Sequence, residues 1–153
     1  MWFRVDNRLI HGQVIEGWLP YTGAKNLVVA NDRLADDDFS QQIMVLAVSR
    51  HVDVLFTHVG LLPKTLADLG DATFVLFENC HDARLACTAG VKVPLLNIGN
   101  VHYARGRHQI YPHVALSDDD VADLRSIIKE QHTQLDFRAI PSENVKAPNE
   151  QLF

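Results

Sequence analysis

The chain has 153 residues, 47% of them hydrophobic and 22% charged, with a net charge of −5. That length suits one domain with a sizeable core, and the acidic balance excludes a general nucleic-acid binder, because phosphate contacts draw on surplus Lys and Arg. No apolar run reaches the roughly 20 residues of a membrane-spanning helix. Arg4, Asp6 and Arg8 interrupt any signal-peptide layout at the N-terminus, so a cytoplasmic protein is expected.

Short β-rich runs alternate with helical patterns throughout. Residues 2–5 read as a strand and 13–21 as a helix, with Val14, Ile15, Trp18 and Leu19 on one face. The run 26–30 (NLVVA) is continuously apolar, as in a strand covered on both faces. Asn31 and Asp32 then look like a helix start, and the acids of "ADDD" (35–38) like first-turn charges. A helix is expected over 35–48, where Phe39, Ile43, Met44 and Ala47 keep helical spacing. Further along come a strand at 52–57, a short helix at 63–69, a strand at 73–77 (TFVLF) and a helix at 82–88 stopped by Gly90. Cys80 and Cys87 form no CxxC pair and read as buried free thiols.

A strand at 94–98 leads into a polar loop, 99–107, and a sixth strand is expected at 113–116. Ser117 and Asp120 form a capping box for a helix to about residue 130. A last strand at 135–140 precedes a polar tail, 142–153, expected to fray. This alternation predicts an α/β fold: one domain over 1–153, with a single open, mostly parallel β-sheet and helices on both faces. Ligands of such sheets sit outside the carboxyl ends of the strands.

The stretch "RVDNRLIHGQV" (4–14) leaves the first strand at that edge. His11 stands just before a helix start, where the free N–H groups around Gly12 and Gln13 make an anion site. Arg4 and Arg8 precede it as fixed cations. The set suits a phosphoryl group arriving on the imidazole, its oxygens met by guanidinium and backbone N–H groups. Asp6 is placed either to accept the N–H of the other ring nitrogen, fixing the tautomer, or to pair with Arg8. The same residues also fit a plain surface turn held by that ion pair. A second basic cluster, Arg105, Arg107 and His108 around Gly106, follows the fifth strand and should emerge at the same edge. Eight histidines include no HExxH or other tight ligand spacing, so no metal or other cofactor is expected.

"RVDNRLIHGQV" closely resembles the active-site signature of the IIB subunits of the bacterial phosphoenolpyruvate-dependent sugar phosphotransferase system, in its mannose/fructose/sorbose branch. "LVVANDRLADDDF" (27–39) and "VPLLNIGNVHYARGRHQIYPHVALSDDDVADLRSI" (93–127) look like later parts of the same family. The resemblance implies an open α/β sheet, and a phosphoryl group taken by His11 from a phosphohistidine on a IIA partner. The group would then pass to a sugar presented by membrane IIC and IID subunits. It implies that Arg8 stabilises the transferred group, with Arg4 and Asp6 as its neighbours. A second wall would come from the loop holding Asn97, Gly99, Arg105, Arg107 and His108. It also implies a stand-alone IIB chain at the inner face of the membrane; a regulatory relay with the same histidine chemistry is the alternative. Two positions depart from the family pattern: Asn7, where an acid is frequent, and Asn100, where a second glycine is common and whose side chain tolerates a left-handed backbone better than most.

Overall fold

The apolar runs become six parallel strands, of which the four central ones are covered on both faces and bury nearly every side chain, while the two edge strands are half-buried. The computed structural model describes residues 1–145 and 153. In it β1 (Trp2–Asp6), β2 (Asn26–Ala30), β3 (Asp53–Thr57), β4 (Thr73–Phe77), β5 (Leu95–Asn100) and β8 (Gln134–Asp136) lie in the order β3-β2-β4-β1-β5-β8. Alternate side chains feed two cores. Phe3, Val5, Val28, Val75, Phe77 and Ile98 face α4 (Leu62–Ala67), α5 (Cys80–Thr88) and α6 (Asp118–Gln131). Leu27, Val29, Phe74 and Leu76 face a π-helical turn (Gln13–Trp18), α1 (Leu19–Thr22), α2 (Asp32–Ala35) and α3 (Asp38–Leu46).

Several elements differ from the sequence reading, each for a local reason. The helix expected over 35–48 is two helices. Asn31 caps α2 by accepting the Leu34 N–H at 3.0 Å, and Asp37 caps α3 by accepting the Ser40 N–H at 3.0 Å. The acid run therefore breaks the helix as well as charging it. α5 begins at Cys80 under an Asn79 cap, with both cysteines free and buried. The capping box of Ser117 and Asp120 is present. The strand at 113–116 is not in the main sheet. β7 (Val114–Leu116) pairs antiparallel with β6 (His108–Tyr111), and this ribbon joins β5 through a bridge between Val101 and Val114. β8 stops at Asp136, short of residue 140, because the Arg138 and Ala139 carbonyls turn toward Arg4 instead of continuing the ladder. Of the tail expected to fray, 146–152 lie outside the described residues. Glu143 is anchored, its carboxylate accepting the Ala139 N–H at 2.6 Å.

This topology opens a crevice at the carboxyl end of β1. The chain after β1 crosses on one face, toward α1, whereas the chains after its neighbours β4 and β5 cross on the other. Diverging connections leave the space above β1 open to a ligand.

One side chain beneath this crevice is not apolar. Arg4 is fully buried on the α1 face, its guanidinium 5.2 Å from the Trp18 ring centroid. The space for it is made by Gly99 on β5: a Cβ there would lie 1.9 Å from the guanidinium carbon. Gly99→Ala should therefore cost about 1–3 kcal/mol by overpacking, rising toward 3–5 kcal/mol if Arg4 loses its buried partner. Gly70→Ala, where nothing lies within 4 Å of the new atom, should shift stability by no more than about 0.5 kcal/mol. Urea unfolding of the two variants checks the contrast.

Candidate active site

The site begins where β1 leaves the sheet. Its register with β5 shifts between Val5 and Asp6, and the Leu9 N–H closes a turn on the Asp6 carbonyl at 3.0 Å. Leu9 takes a left-handed backbone, φ 55°, which costs a branched residue roughly 1–2 kcal/mol. Its side chain, 2% exposed in the second core, offsets that strain and pins the loop. The His11 carbonyl then accepts from both Val14 and Ile15, at 3.0 Å each, and starts the π-helical turn. Such irregular turns recur at functional positions.

Asp6 is the hub. Its Oδ2 accepts from Arg4 Nε at 3.0 Å and Nη2 at 2.9 Å, from Asn100 Nδ2 at 2.9 Å and from His11 Nε2 at 2.8 Å. Its Oδ1 accepts the Arg8 backbone N–H at 2.9 Å. Burial pushes this carboxyl up, but the bonds from His11, Arg4 and Asn100 outweigh it and hold the group below its ordinary value. Asp6 is therefore a carboxylate at neutral pH and can only accept, so the proton between it and His11 is carried on Nε2. In the neutral ring that arrangement leaves the lone pair on Nδ1. The His11 side chain is 7% exposed, and Nδ1 is buried with no hydrogen-bond partner among the described residues. A buried polar atom without a partner marks a place where a group can be received.

The predicted residues separate into those around the ring and those beneath or beside it. Asp6, His11, Gly12 and Gln13 come together, and Gln13 Oε1 accepts from Asn100 Nδ2 at 2.7 Å. The N–H groups of Gly12 and Gln13 have no backbone acceptor among the described residues. Arg8 is exposed, and its guanidinium makes no ion pair or hydrogen bond among the described residues, so the alternative Arg8–Asp6 side-chain pair does not form. Arg4 is not a second cation over the ring. It is turned into the core, where the Arg138 and Ala139 carbonyls and Asn97 also hold it. Burial lowers its guanidinium below the ordinary value and Asp6 opposes that change.

Asn97 and Gly99 likewise belong to this buried support. Asn97 Nδ2 donates to the Asp136 and Arg138 carbonyls at 3.2 and 3.0 Å, and Gly99 clears the guanidinium. Arg107 and His108 turn to acids around the start of α6, Asp120 at 3.7 Å and Asp118 at 3.8 Å. Arg105 is exposed. Two residues that the sequence marks only as departures from the family pattern also shape the site. Asn7 donates to the Glu78 carbonyl at 2.6 Å and accepts the His102 N–H at 2.7 Å, tying three segments together. Asn100 stays in β5 without a positive φ, and spends its amide on Asp6 and Gln13. Beyond that departure, the sequence signal is an amide at or just past the end of an apolar strand. Among the described residues no group of three His, Cys, Asp or Glu is placed to hold a metal ion, and no helix is long and apolar enough to cross a membrane.

The family model described as "PTS system sorbose subfamily IIB component" matches residues 1–152. The chain belongs to the sorbose-subfamily IIB components of the phosphotransferase system. It is 32% identical to the N-acetylgalactosamine-specific phosphotransferase enzyme IIB component 1 of Escherichia coli (strain K12), covering 92% of this chain and 90% of that one. It is 30% identical to the sorbose-specific EIIB component of Klebsiella pneumoniae, covering 92% and 87%. The crystal structure of the PTS system N-acetylgalactosamine-specific IIB component 1 from Escherichia coli superposes with a TM-score of 0.87 at 28% identity, covering 96% of this chain and 98% of that one. This IIB chain is thus a phosphocarrier of the mannose/sorbose class, a phosphotransferase serving sugar uptake. IIB components of mannose-family systems act with IIA and with membrane IIC and IID.

The depressed Asp6 value gives a signed pH dependence. Its contribution to stability is complete above 3.8, the ordinary carboxyl value, and is lost as pH falls through the lower folded value. Asp6→Asn should therefore be clearly less stable than the parent at pH 7. The gap should narrow once pH drops below 3.8. Denaturant midpoints measured across that range check it.

Proposed function

We propose that His11 is the phosphoryl acceptor and that the phosphoryl group is carried on Nδ1. The observation that carries this reading is the division of labour on the ring: Asp6 holds Nε2 at 2.8 Å, while Nδ1 is buried without a partner. The Nδ1 lone pair attacks the phosphorus of a phosphohistidine on the IIA protein. A new N–P bond forms, the donor's N–P bond breaks, and the donor imidazole leaves with the electron pair. The Nε2 proton stays on the ring, and the Asp6 carboxylate steadies the imidazole as it loses electron density. The loose transition state puts charge on the three phosphoryl oxygens. Arg8, three residues before His11, is an exposed cation with no ion pair among the described residues, and the Gly12 and Gln13 N–H groups have no backbone acceptor there; in this reading they meet that charge together. Arg4 acts through Asp6 and is a positioning residue.

In the second half-reaction a sugar hydroxyl, held by the membrane IIC and IID subunits, attacks the same phosphorus; the O–P bond forms, the N–P bond breaks with its electron pair returning to Nδ1, and the hydroxyl proton passes to a base of the membrane subunits or to water. The chain then works at the inner face of the membrane. Arg105 is the exposed cation of the second basic loop and faces the partner, while Arg107 and His108 brace that loop against α6.

The test is phosphoryl transfer from phosphoenolpyruvate through the general components and a cognate IIA. Acid-labile phosphate should form on the parent and be absent from His11→Ala. Arg8→Ala should fold normally and accept the group about 10²–10³-fold more slowly, the loss typical of one charge-stabilising donor. Labelling of the His11→Ala chain would defeat the assignment, and an Arg8→Ala chain that fails to fold would make Arg8 a structural residue.

A further inference from the structure

Helix α3 is apolar on two opposite sides. Met44 and Val48, the latter just past its end, pack against the second core. Phe39, Ile43 and Leu46 are 73%, 53% and 85% exposed. Steps of four and three residues set these three in one stripe, and at 100° per residue it points away from Met44 and Val48. No residue of α3 is buried, in contrast to α5 and α6. A surface helix needs a single apolar side; two opposed ones belong to a helix covered from both directions. The stripe borders an open groove of about 470 Å³ along the edge strand β3, with Val45, Leu46, Val54 and Phe56 as its apolar walls and Asp38, Gln41 and Gln42 as its polar ones.

We infer that a second copy of the chain covers this face, with α3 packed antiparallel on α3 about a two-fold axis near Ile43. A two-fold contact needs a self-complementary patch, and this one is self-complementary in shape and in charge. Antiparallel pairing sets Phe39 of each copy on Leu46 of the other, at the mouth of the groove. Asp38 opens the helix and Arg50 follows it, and neither makes an ion pair among the described residues. The two-fold brings Arg50 of each copy to the acidic start of the other's helix and opposes the two helix dipoles. The exposed stripe amounts to roughly 400 Å² of apolar surface per copy, the size of the largest patch on a typical monomer, which is often a functional one. That is about half of the ~800 Å² per partner of a standard interface, a size that fits a weak, reversible dimer. β2 and β4 separate this edge from β1, so both His11 loops stay open in the pair.

Sedimentation equilibrium of the purified chain, from micromolar to several hundred micromolar, tests the inference. A reversible dimer is expected. Leu46→Arg, at a position open to solvent and therefore harmless to folding, should weaken it about tenfold or more. Asp38→Arg and Arg50→Asp should each weaken it, and the chain carrying both should regain the parent affinity. A monomer at every concentration, or a dimer indifferent to Leu46→Arg, overturns the inference. A doubly exchanged chain as weak as the single variants overturns the antiparallel pairing.

Discussion

The buried pair of Arg4 and Asp6 is the constraint on which the rest of the site depends. Two charges on adjacent inward positions of a central strand are removed from water, a penalty of several kcal/mol per ion unless every lone pair and proton is used. The protein uses nearly all of them. Asp6 accepts from Arg4, His11, Asn100 and the Arg8 backbone, and Arg4 adds Asn97 and the carbonyls of Arg138 and Ala139. Gly99 is a glycine because of that guanidinium. The chain after β8 leaves the sheet to bring two carbonyls to it, and Trp18 covers it while donating to Ala139 at 2.9 Å. What the network leaves at the floor of the crevice is a single product: an imidazole with one nitrogen fixed and the other without a partner among the described residues.

The loop completes what the pair begins. A left-handed Leu9 and a π-helical start are both irregular, and they turn the chain back sharply enough for His11 to reach Asp6, five residues earlier. Hydrophobic anchoring of Leu9, Val14 and Trp18 in the second core holds that geometry. The ring is thus oriented by packing and by a charge-assisted bond before any partner arrives. Preorganisation of this kind suits phosphoryl transfer, where position and charge supply most of the catalysis.

Much of this was legible in the chain because the relevant signals are local. Alternation of apolar runs gave the parallel sheet, and the carboxyl-edge rule placed His11, Asp6 and the helix start together. The sequence makes Arg4 look like a cation of the phosphoryl site because its buried partners stand far away in the chain, Asn97 by 93 residues and Arg138 by 134. A stricter reading of β1 as a central parallel strand would have buried both Arg4 and Asp6 at once, since such strands are covered on both faces. Asn97 and Gly99 followed Arg4 into the same misplacement. The amides of Asn7 and Asn100 bind across loops and strands, and no periodicity announces a bond of that kind. The α3 break, by contrast, was written in the acids at 36–38, which serve as caps as well as first-turn charges.

The central claim is that the buried Arg4–Asp6 pair sets the His11 tautomer. Long-range proton–nitrogen NMR correlations of the His11 ring in the unphosphorylated protein at neutral pH test it most directly. The account predicts a proton on Nε2 and a bare Nδ1. A proton found on Nδ1, with Nε2 bare, would contradict it.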